Sequence, residues 1–379
     1  MEYRKIRAII SGGGTGGHIF PALSIAGKLM ELNPATEILF VGAEGRMEMD
    51  KVPAAGYRIV GLPVAGLQRK LTLSNFALPL KIFRSVRMAK KLIREFRPDI
   101  AIGVGGYASA PLLWAAGQLG IPTLIQEQNG YAGLTNKILG KKARSICVAY
   151  EGMERFFPAE RIVMSGNPIR KEIVPADAAM KEEACRFYGL DPQKKHIFVV
   201  GGSLGSGTLN KAMMGWIESG CPSGENIEVI WQCGKYYKAE VDGFMEKERS
   251  KSGTEGYLKN IQHSDFIMRM DLAYAAADVV ISRSGASSVS ELCAAHKAVI
   301  FVPSPNVAED HQTHNAMALV KKEAALIVKD SEAGEKLMKE ACALIESPDR
   351  ISLLESNISK LALMDASQTI ADEVYKIIG

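Results

Sequence analysis

Short apolar runs alternate along the chain with longer stretches of helical periodicity. In the first half the runs fall at residues 6–11, 37–42, 57–62, 100–104, 123–127, 145–150 and 161–166, and in the second at 196–202, 227–232, 278–283, 298–303 and 324–329. Nearly continuous apolar strands set between helices predict parallel sheets covered on both faces. The pattern restarts midway. Residues 6–11 run into Gly12-Gly13-Gly14-Thr15-Gly16-Gly17, and residues 196–200 run into Gly201-Gly202-Ser203-Leu204-Gly205-Ser206-Gly207. Each is a strand, a glycine loop and a helix start, so the chain reads as two doubly wound α/β domains with a linker at 166–175. Ligands of open α/β sheets bind outside the carboxyl ends of the strands. Two such domains therefore predict a site in a cleft that both of them face.

Composition narrows the class. A length of 379 residues suits two domains, and 47% hydrophobic with 23% charged residues is globular rather than disordered or collagen-like. Lys and Arg number 46 against 42 Asp and Glu, a net of +4 that does not suggest a nucleic-acid partner. That charge is unevenly placed. Residues 66–97 hold nine basic side chains against the single acid Glu95, a net of +8 that leaves −4 for the remainder. Leu67, Leu71, Leu73, Phe76, Leu78, Leu80, Ile82 and Phe83 are interleaved with them. The combination suits an anionic membrane surface, although an amphipathic helix with a solvated basic face has the same pattern. Six cysteines without a CxxC pair fit a reducing compartment better than a zinc site or disulfide framework. The N-terminus does not read as a signal peptide. Residues 100–126 carry no charge, but Gly103, Gly105, Gly106, Pro111, Gly117, Gly120 and Pro122 predict strand, turn, short helix and strand instead of a membrane span.

The glycine loops are the first chemical candidates. Gly12, Gly14 and Gly17 fit GxGxxG, with Glu44 available as the ribose acid of a dinucleotide site. The density of glycines, His18 at the helix start and a second glycine loop count against that reading. Glycines at a helix N-terminus let backbone N–H groups approach an anion that the helix dipole also favours. The loop at 201–207 is either such a cradle or a tight turn. In Ser282-Arg283-Ser284-Gly285-Ala286-Ser287-Ser288-Val289-Ser290-Glu291, Ser288 and Glu291 have capping-box spacing, which alone favours a cap. A carboxylate at Glu291 would also suit a vicinal diol. The polar, proline-punctuated loop at 302–315 is a further site candidate. Its His311 and His314 lack a third ligand at useful spacing, so no metal site is assigned.

Taken together, several blocks resemble one family over nearly the whole chain and in order. They are Gly13-Gly14-Thr15-Gly16-Gly17-His18 with Phe20-Pro21, Gly105-Gly106-Tyr107, Glu127-Gln128-Asn129-Gly130, Ala132-Gly133-Leu134-Thr135-Asn136-Lys137, Gly166-Asn167-Pro168-Ile169-Arg170, Gly201-Gly202-Ser203, and Arg283-Ser284-Gly285-Ala286 through Glu291. The sequence resembles the MurG family of cytoplasmic N-acetylglucosaminyltransferases of peptidoglycan synthesis. The resemblance implies the GT-B fold, two Rossmann-like doubly wound domains facing a deep cleft. Residues 1–168 plus 365–379 would form an N-terminal acceptor- and membrane-binding domain, and 169–364 a C-terminal UDP-GlcNAc-binding domain. In the family the helix at 365–378 packs back on the first domain. The implied reaction is inverting transfer of GlcNAc from UDP-GlcNAc to the C4 hydroxyl of the muramoyl sugar of lipid I, the undecaprenyl-diphosphate acceptor, giving lipid II. The protein would then be peripheral on the cytoplasmic face of the bacterial inner membrane, bound through residues 66–97, with other cell-wall synthesis proteins as candidate partners. A GT-B UDP-sugar transferase acting on another lipid is the alternative. A UDP-GlcNAc epimerase would need paired acid and base carboxylates, and none stands out.

The resemblance also implies site residues. Ile267 would meet the uracil through its backbone and Glu291 would hold the ribose, a role compatible with capping. Ser203 and Arg170 would contact the diphosphate, while Ala286, Ser287, Ser288, Val289 and Ser290 would present helix-start N–H groups to phosphate and sugar. Gln312 and Asn129 would bind the GlcNAc hydroxyls, and Thr15, Gly16 and Gly17 would close over the donor. Negative charge growing on the departing UDP would be stabilised by those N–H groups and Arg170. No DxD motif occurs, so the sequence requires no cofactor and a divalent cation would at most stimulate. His18 is the candidate general base, kept neutral by its place at a helix start. Its alternative roles are ordering the glycine loop or binding the acceptor diphosphate. Two departures stand out: Gln126 occupies the place of a common His before Glu-Gln-Asn, and His311-Gln312 replaces a frequent Gln-Gln. The loop at 303–310 also differs from better-known members.

Overall fold

The computed structural model describes residues 3–64, 78–202 and 204–379. Ser203 and the 66–77 part of the basic segment lie outside the described residues. The chain forms two units, Met1–Ile169 with Leu363–Gly379, and Arg170–Ala362.

In the first unit the strands are β1 (Arg7–Ser11), β2 (Glu37–Ala43), β3 (Arg58–Leu62), β4 (Ile100–Gly103), β5 (Thr123–Glu127), β6 (Ser145–Val148) and β7 (Ile162–Met164). They pair in parallel in the order β3-β2-β1-β4-β5-β6-β7. Alternate residues of β1 serve different cores, as the strand pleat requires. Ala8 and Ile10 pack with Ile19, Ala22, Ile25 and Leu29 of the helix Gly16–Leu32, whereas Ile9 packs with Ala89 and Ile93 of the helix Leu78–Phe96. The helix Ala366–Ile378 joins the first of these cores through Ile370, Ala371, Val374 and Tyr375. Its Tyr375 hydroxyl donates to the Arg4 carbonyl at 3.1 Å, and the Tyr3 hydroxyl donates to Asp372 at 2.8 Å.

The second unit contains β8 (Lys195–Val200), β9 (Ile227–Gln232), β10 (Ile261–Ser264), β11 (Val279–Ser282), β12 (Val299–Phe301) and β13 (Leu326–Ile327). All pairs are parallel, in the order β10-β9-β8-β11-β12-β13. Counted from its own first strand, each unit therefore begins 3-2-1-4-5-6, the doubly wound order of dinucleotide-type folds. Strand β10 has no counterpart among the predicted runs. It is an edge strand with one strongly apolar residue, Ile261, so it lacks the hydrophobic signature of the buried strands.

In both sheets the winding reverses beside the first strand, between β1 and β4 and between β8 and β11. The crevice at such a switch point is where doubly wound sheets bind ligands. The loops that flank these points are 12–15 and 104–108 in the first unit, and 201–206 and 283–285 in the second. All the glycine-rich candidates fall there. The uncharged stretch 100–126 resolves into β4, the helix Ser109–Gln118 and part of β5. Among the described residues no helix is long and apolar enough to cross a membrane.

Candidate functional site

The second unit gathers most of the predicted donor residues around the end of β11. The helix Ala286–Ala294 starts immediately after it, with Gly285 as the N-cap and no side-chain cap. This corrects the capping-box expectation: Ser288 is the third residue of the helix, so Ser288 and Glu291 cannot cap it. The Val289 N–H bonds back to the Gly285 carbonyl at 2.9 Å, which leaves the N–H groups of Ala286, Ser287 and Ser288 outside the helical ladder. Val289 is buried, and Ser290 lies one residue before Glu291.

Glu291 is 8% exposed and takes a bidentate ion pair from Arg170, whose side chain is 48% exposed. Arg170 Nε donates to one oxygen at 2.9 Å and Nη2 to the other at 3.0 Å. The Tyr274 hydroxyl donates to the second oxygen at 3.3 Å. Burial, and then the Glu291 charge, push the Tyr274 phenol well above its ordinary range, so it remains a donor. Neither the Arg170 pair nor the Tyr274 contact carries a local sequence signal, since Arg170 lies 121 residues away.

The same switch point holds Gln312. Ser284 Oγ donates to its carbonyl at 2.8 Å, and its side-chain oxygen accepts from the Ser304 N–H at 2.8 Å. The buried Asn315 donates to the Ser284 carbonyl at 3.2 Å, tying the helix His311–Val320 to this loop. His311 opens that helix, and its Nδ1 is buried with no hydrogen-bond partner among the described residues. Ile267 lies elsewhere in the unit, in the loop after β10. It is buried between the exposed Phe266 and Met268.

On the other side of the switch point, the loop after β8 ends at Ser206, whose Oγ accepts from the Leu209 N–H at 3.3 Å and caps the helix Gly207–Glu218. The loop lies directly on Gly234. A Cβ on Gly234, where φ is +88°, would overlap the Cα of Gly205. Gly234→Ala is therefore expected to destabilise the unit by about 2 kcal/mol. The unfolding midpoint should drop by roughly 5 °C. Calorimetry checks this, and an unchanged midpoint would contradict the packing argument.

In the first unit, Thr15 is the N-cap of the helix Gly16–Leu32, and Gly16, Gly17 and His18 form its first turn. His18 is half-buried, with Nδ1 3.1 Å from the Gly13 carbonyl and 3.4 Å from Thr15 Oγ1. A carbonyl only accepts, so that bond requires a proton on Nδ1 and places the neutral ring's lone pair on Nε2. The ring lies against Gly105, where a Cβ would stand 2.6 Å from His18 Cδ2. The sequence reading missed Glu48, a buried carboxylate beneath this loop. It accepts from the Gly14 N–H at 2.8 Å and from the Ala43 N–H at 3.0 Å.

Asn129 sits on the loop after β5. Its backbone and side chain donate to Glu127 Oε1 at 3.1 and 3.3 Å, and the other Glu127 oxygen accepts from Gly133 and Asn136. Gln126 occupies a buried amide network. It donates to Asn167 at 2.8 Å, Asn167 donates to the Gln128 carbonyl at 3.0 Å, and Gln128 donates to the Val104 carbonyl at 2.8 Å and to the Gln126 side-chain oxygen.

Comparison with known proteins shows the family of both units. Residues 8–148 match the glycosyltransferase family 28 N-terminal domain, and residues 196–371 match the glycosyltransferase family 28 C-terminal domain. The chain is 54% identical over 375 residues, 99% of each chain, to the UDP-N-acetylglucosamine–N-acetylmuramyl-(pentapeptide) pyrophosphoryl-undecaprenol N-acetylglucosamine transferase of Parabacteroides distasonis. It is 51% identical to the Porphyromonas gingivalis protein of the same name, over 99% of this chain and 96% of that one. Among solved structures, Acinetobacter baumannii MurG superposes with a TM-score of 0.78 at 27% identity, covering 98% of this chain and 100% of that one. A UDP-N-acetylglucosamine 2-epimerase shares the fold alone, with a TM-score of 0.65 at 12% identity over 99% of this chain and 96% of that one. This chain belongs to the glycosyltransferase family 28 enzymes, in the MurG family of N-acetylglucosamine transferases.

Proposed function

We propose that the protein transfers GlcNAc from UDP-GlcNAc to the C4 hydroxyl of the muramoyl sugar of lipid I, with inversion, to give lipid II. The observation that carries this reading is the 54% identity, over 99% of both chains, to an enzyme named as an N-acetylglucosamine transferase for N-acetylmuramyl-(pentapeptide) pyrophosphoryl-undecaprenol. The second unit takes the donor. Glu291 accepts from the ribose hydroxyls, the N–H groups of Ala286, Ser287 and Ser288, outside the helical ladder, face the diphosphate, Arg170 neutralises it, and Gln312 meets the sugar. The first unit, with its returning C-terminal helix, serves the acceptor. The acceptor oxygen attacks the anomeric carbon from the face opposite the diphosphate, and the bond to the UDP oxygen breaks with its electron pair leaving on UDP. The hydroxyl proton passes to His18 Nε2.

A UDP-release assay tests the reading. Release should require both UDP-GlcNAc and lipid I and should fall sharply with UDP-GalNAc. Equal release without lipid I would overturn it.

The lipid acceptor places the reaction at the cytoplasmic face of the inner membrane, and the helix Leu78–Phe96 supports docking there. It buries Ser85, Ala89 and Ile93, while Leu80, Ile82 and Phe83 are exposed together with Lys81, Arg84, Arg87, Lys91 and Arg94. The helix Ser109–Gln118 packs against it and exposes Trp114, with Lys142 5.7 Å from the ring centroid. Each basic residue near an anionic surface contributes about 1 kcal/mol. Reversing Lys81, Arg84 and Arg87 to Glu should therefore weaken partitioning into anionic vesicles by roughly a hundredfold or more. Binding that ignores both these changes and the anionic lipid content would defeat the docking role.

A further inference from the structure

We propose that Glu48 is a positioning residue for His18, acting through the single peptide group that joins Gly13 to Gly14. The proposal rests on His18 being the base. The Gly14 N–H donates to Glu48 Oε2 at 2.8 Å, and the carbonyl of that same peptide faces His18 Nδ1 at 3.1 Å. A peptide group is delocalised, so a negative charge on its N–H side makes its carbonyl oxygen a stronger acceptor. A stronger acceptor for the Nδ1 proton stabilises the imidazolium that forms when Nε2 takes the acceptor's proton. A carboxylate bonded directly to a histidine does the same, with no peptide in between.

The surroundings favour this role over simple loop support. Glu48 is 1% exposed, so water screens its charge little. Its other oxygen accepts from the Ala43 N–H at the end of β2, so both oxygens face donors, as an ionised carboxylate requires. A side chain at Gly13 would overlap the carboxylate, and a Cβ at Gly106 would overlap the Gly13 carbonyl. The peptide is therefore clamped between Glu48 and the loop after β4. The other ionisable side chains on these elements are Glu44, Arg46, Asp50 and Lys51 near Glu48, and Tyr107 beyond Gly105. Arg46 lies over the Tyr107 ring, and Lys28 pairs with Glu31 toward the far end of the His18 helix.

The test combines kinetics with titration of the six histidines of the full chain by nitrogen NMR, for the wild type, His18→Ala, Glu48→Gln and the double variant. Glu48→Gln should lower kcat by about tenfold or more, within the range of a general-base contribution. Donor KM should stay within about twofold, and almost nothing further should be lost in the His18→Ala background. The His18 pKa should fall by about half a unit or more once the negative charge is gone. If Glu48→Gln does not fold, Glu48→Asp, which keeps the charge on a shorter stem, should show a smaller fall in the same direction. An equal loss in both backgrounds, or an unmoved His18 titration in a folded Glu48 variant, overturns the relay while leaving the base assignment intact. His18→Ala retaining more than about a tenth of wild-type kcat overturns the base assignment itself.

Discussion

His18→Ala should lower kcat with lipid I by roughly a thousandfold, within the span of a lost general base, while leaving the affinity for UDP-GlcNAc within about twofold. Most of the expected donor residues, Arg170, Ile267, Glu291 and Gln312 among them, lie in the second unit and the histidine in the first, so donor affinity is the internal control. The Nδ1 proton is committed to the Gly13 carbonyl, which puts the neutral ring's lone pair on Nε2. His18→Gln separates the base from the two other roles of this residue. A glutamine can donate a hydrogen bond to the Gly13 carbonyl and keep the loop in place, but it cannot take a proton. It should therefore be as slow as the alanine variant. Restored turnover in His18→Gln would assign the residue to loop order. A rise in lipid I KM with kcat preserved would assign it to the acceptor diphosphate.

Glu291→Ala should raise the KM for UDP-GlcNAc by about 10–100-fold, because hydrogen bonds to a charged group are worth roughly 1.5–3 kcal/mol. Its kcat should change far less. An ionised carboxylate offers about four acceptor positions. Arg170 and Tyr274 already use three in this structure. A ribose diol needs two, so donor binding is expected to move Arg170 off Glu291, toward the diphosphate that gains charge in the reaction. Arg170→Ala should thus show the opposite split, with kcat reduced more than donor KM is raised. Steady-state kinetics on both variants checks the pair. An unchanged donor KM in Glu291→Ala rejects the ribose assignment.

The fold was legible where a buried strand writes a continuous apolar run, as at Ala8-Ile9-Ile10 or Val279-Val280-Ile281. It was illegible at β10, where an edge position asks little of Gln262, His263 and Ser264. The glycine loops announced themselves because close backbone approaches, such as Gly234 on Gly205, leave no space for a side chain. Side-chain partnerships across the sheet were hidden. Glu48 reads locally as an ordinary acid in a helical first turn, and only the winding of β1 and β2 brings it beneath Gly14. Glu291 misled in the opposite sense. Its spacing from Ser288 imitates a cap, but the helix begins earlier, at a glycine, and the carboxylate turns to Arg170. The expectation of a sugar-nucleotide donor came from the ordered set of motifs, because no single block distinguishes a sugar nucleotide from another phosphate ligand.

The return of the C-terminal helix to the first core has a consequence for synthesis on the ribosome. Residues 170–362 form a unit that is contiguous in the chain, whereas the first unit needs segments on both sides of it. Domains generally fold as units while the chain emerges from its N-terminus. Here residues 1–169 must wait for residues 363–379, which follow the whole second unit. Until Ile370, Ala371, Val374 and Tyr375 emerge, the apolar core they share with Ile19, Ala22, Ile25 and Leu29 lacks part of its cover. The second unit has all its residues in hand before then, so the half of the enzyme begun first is the half finished last.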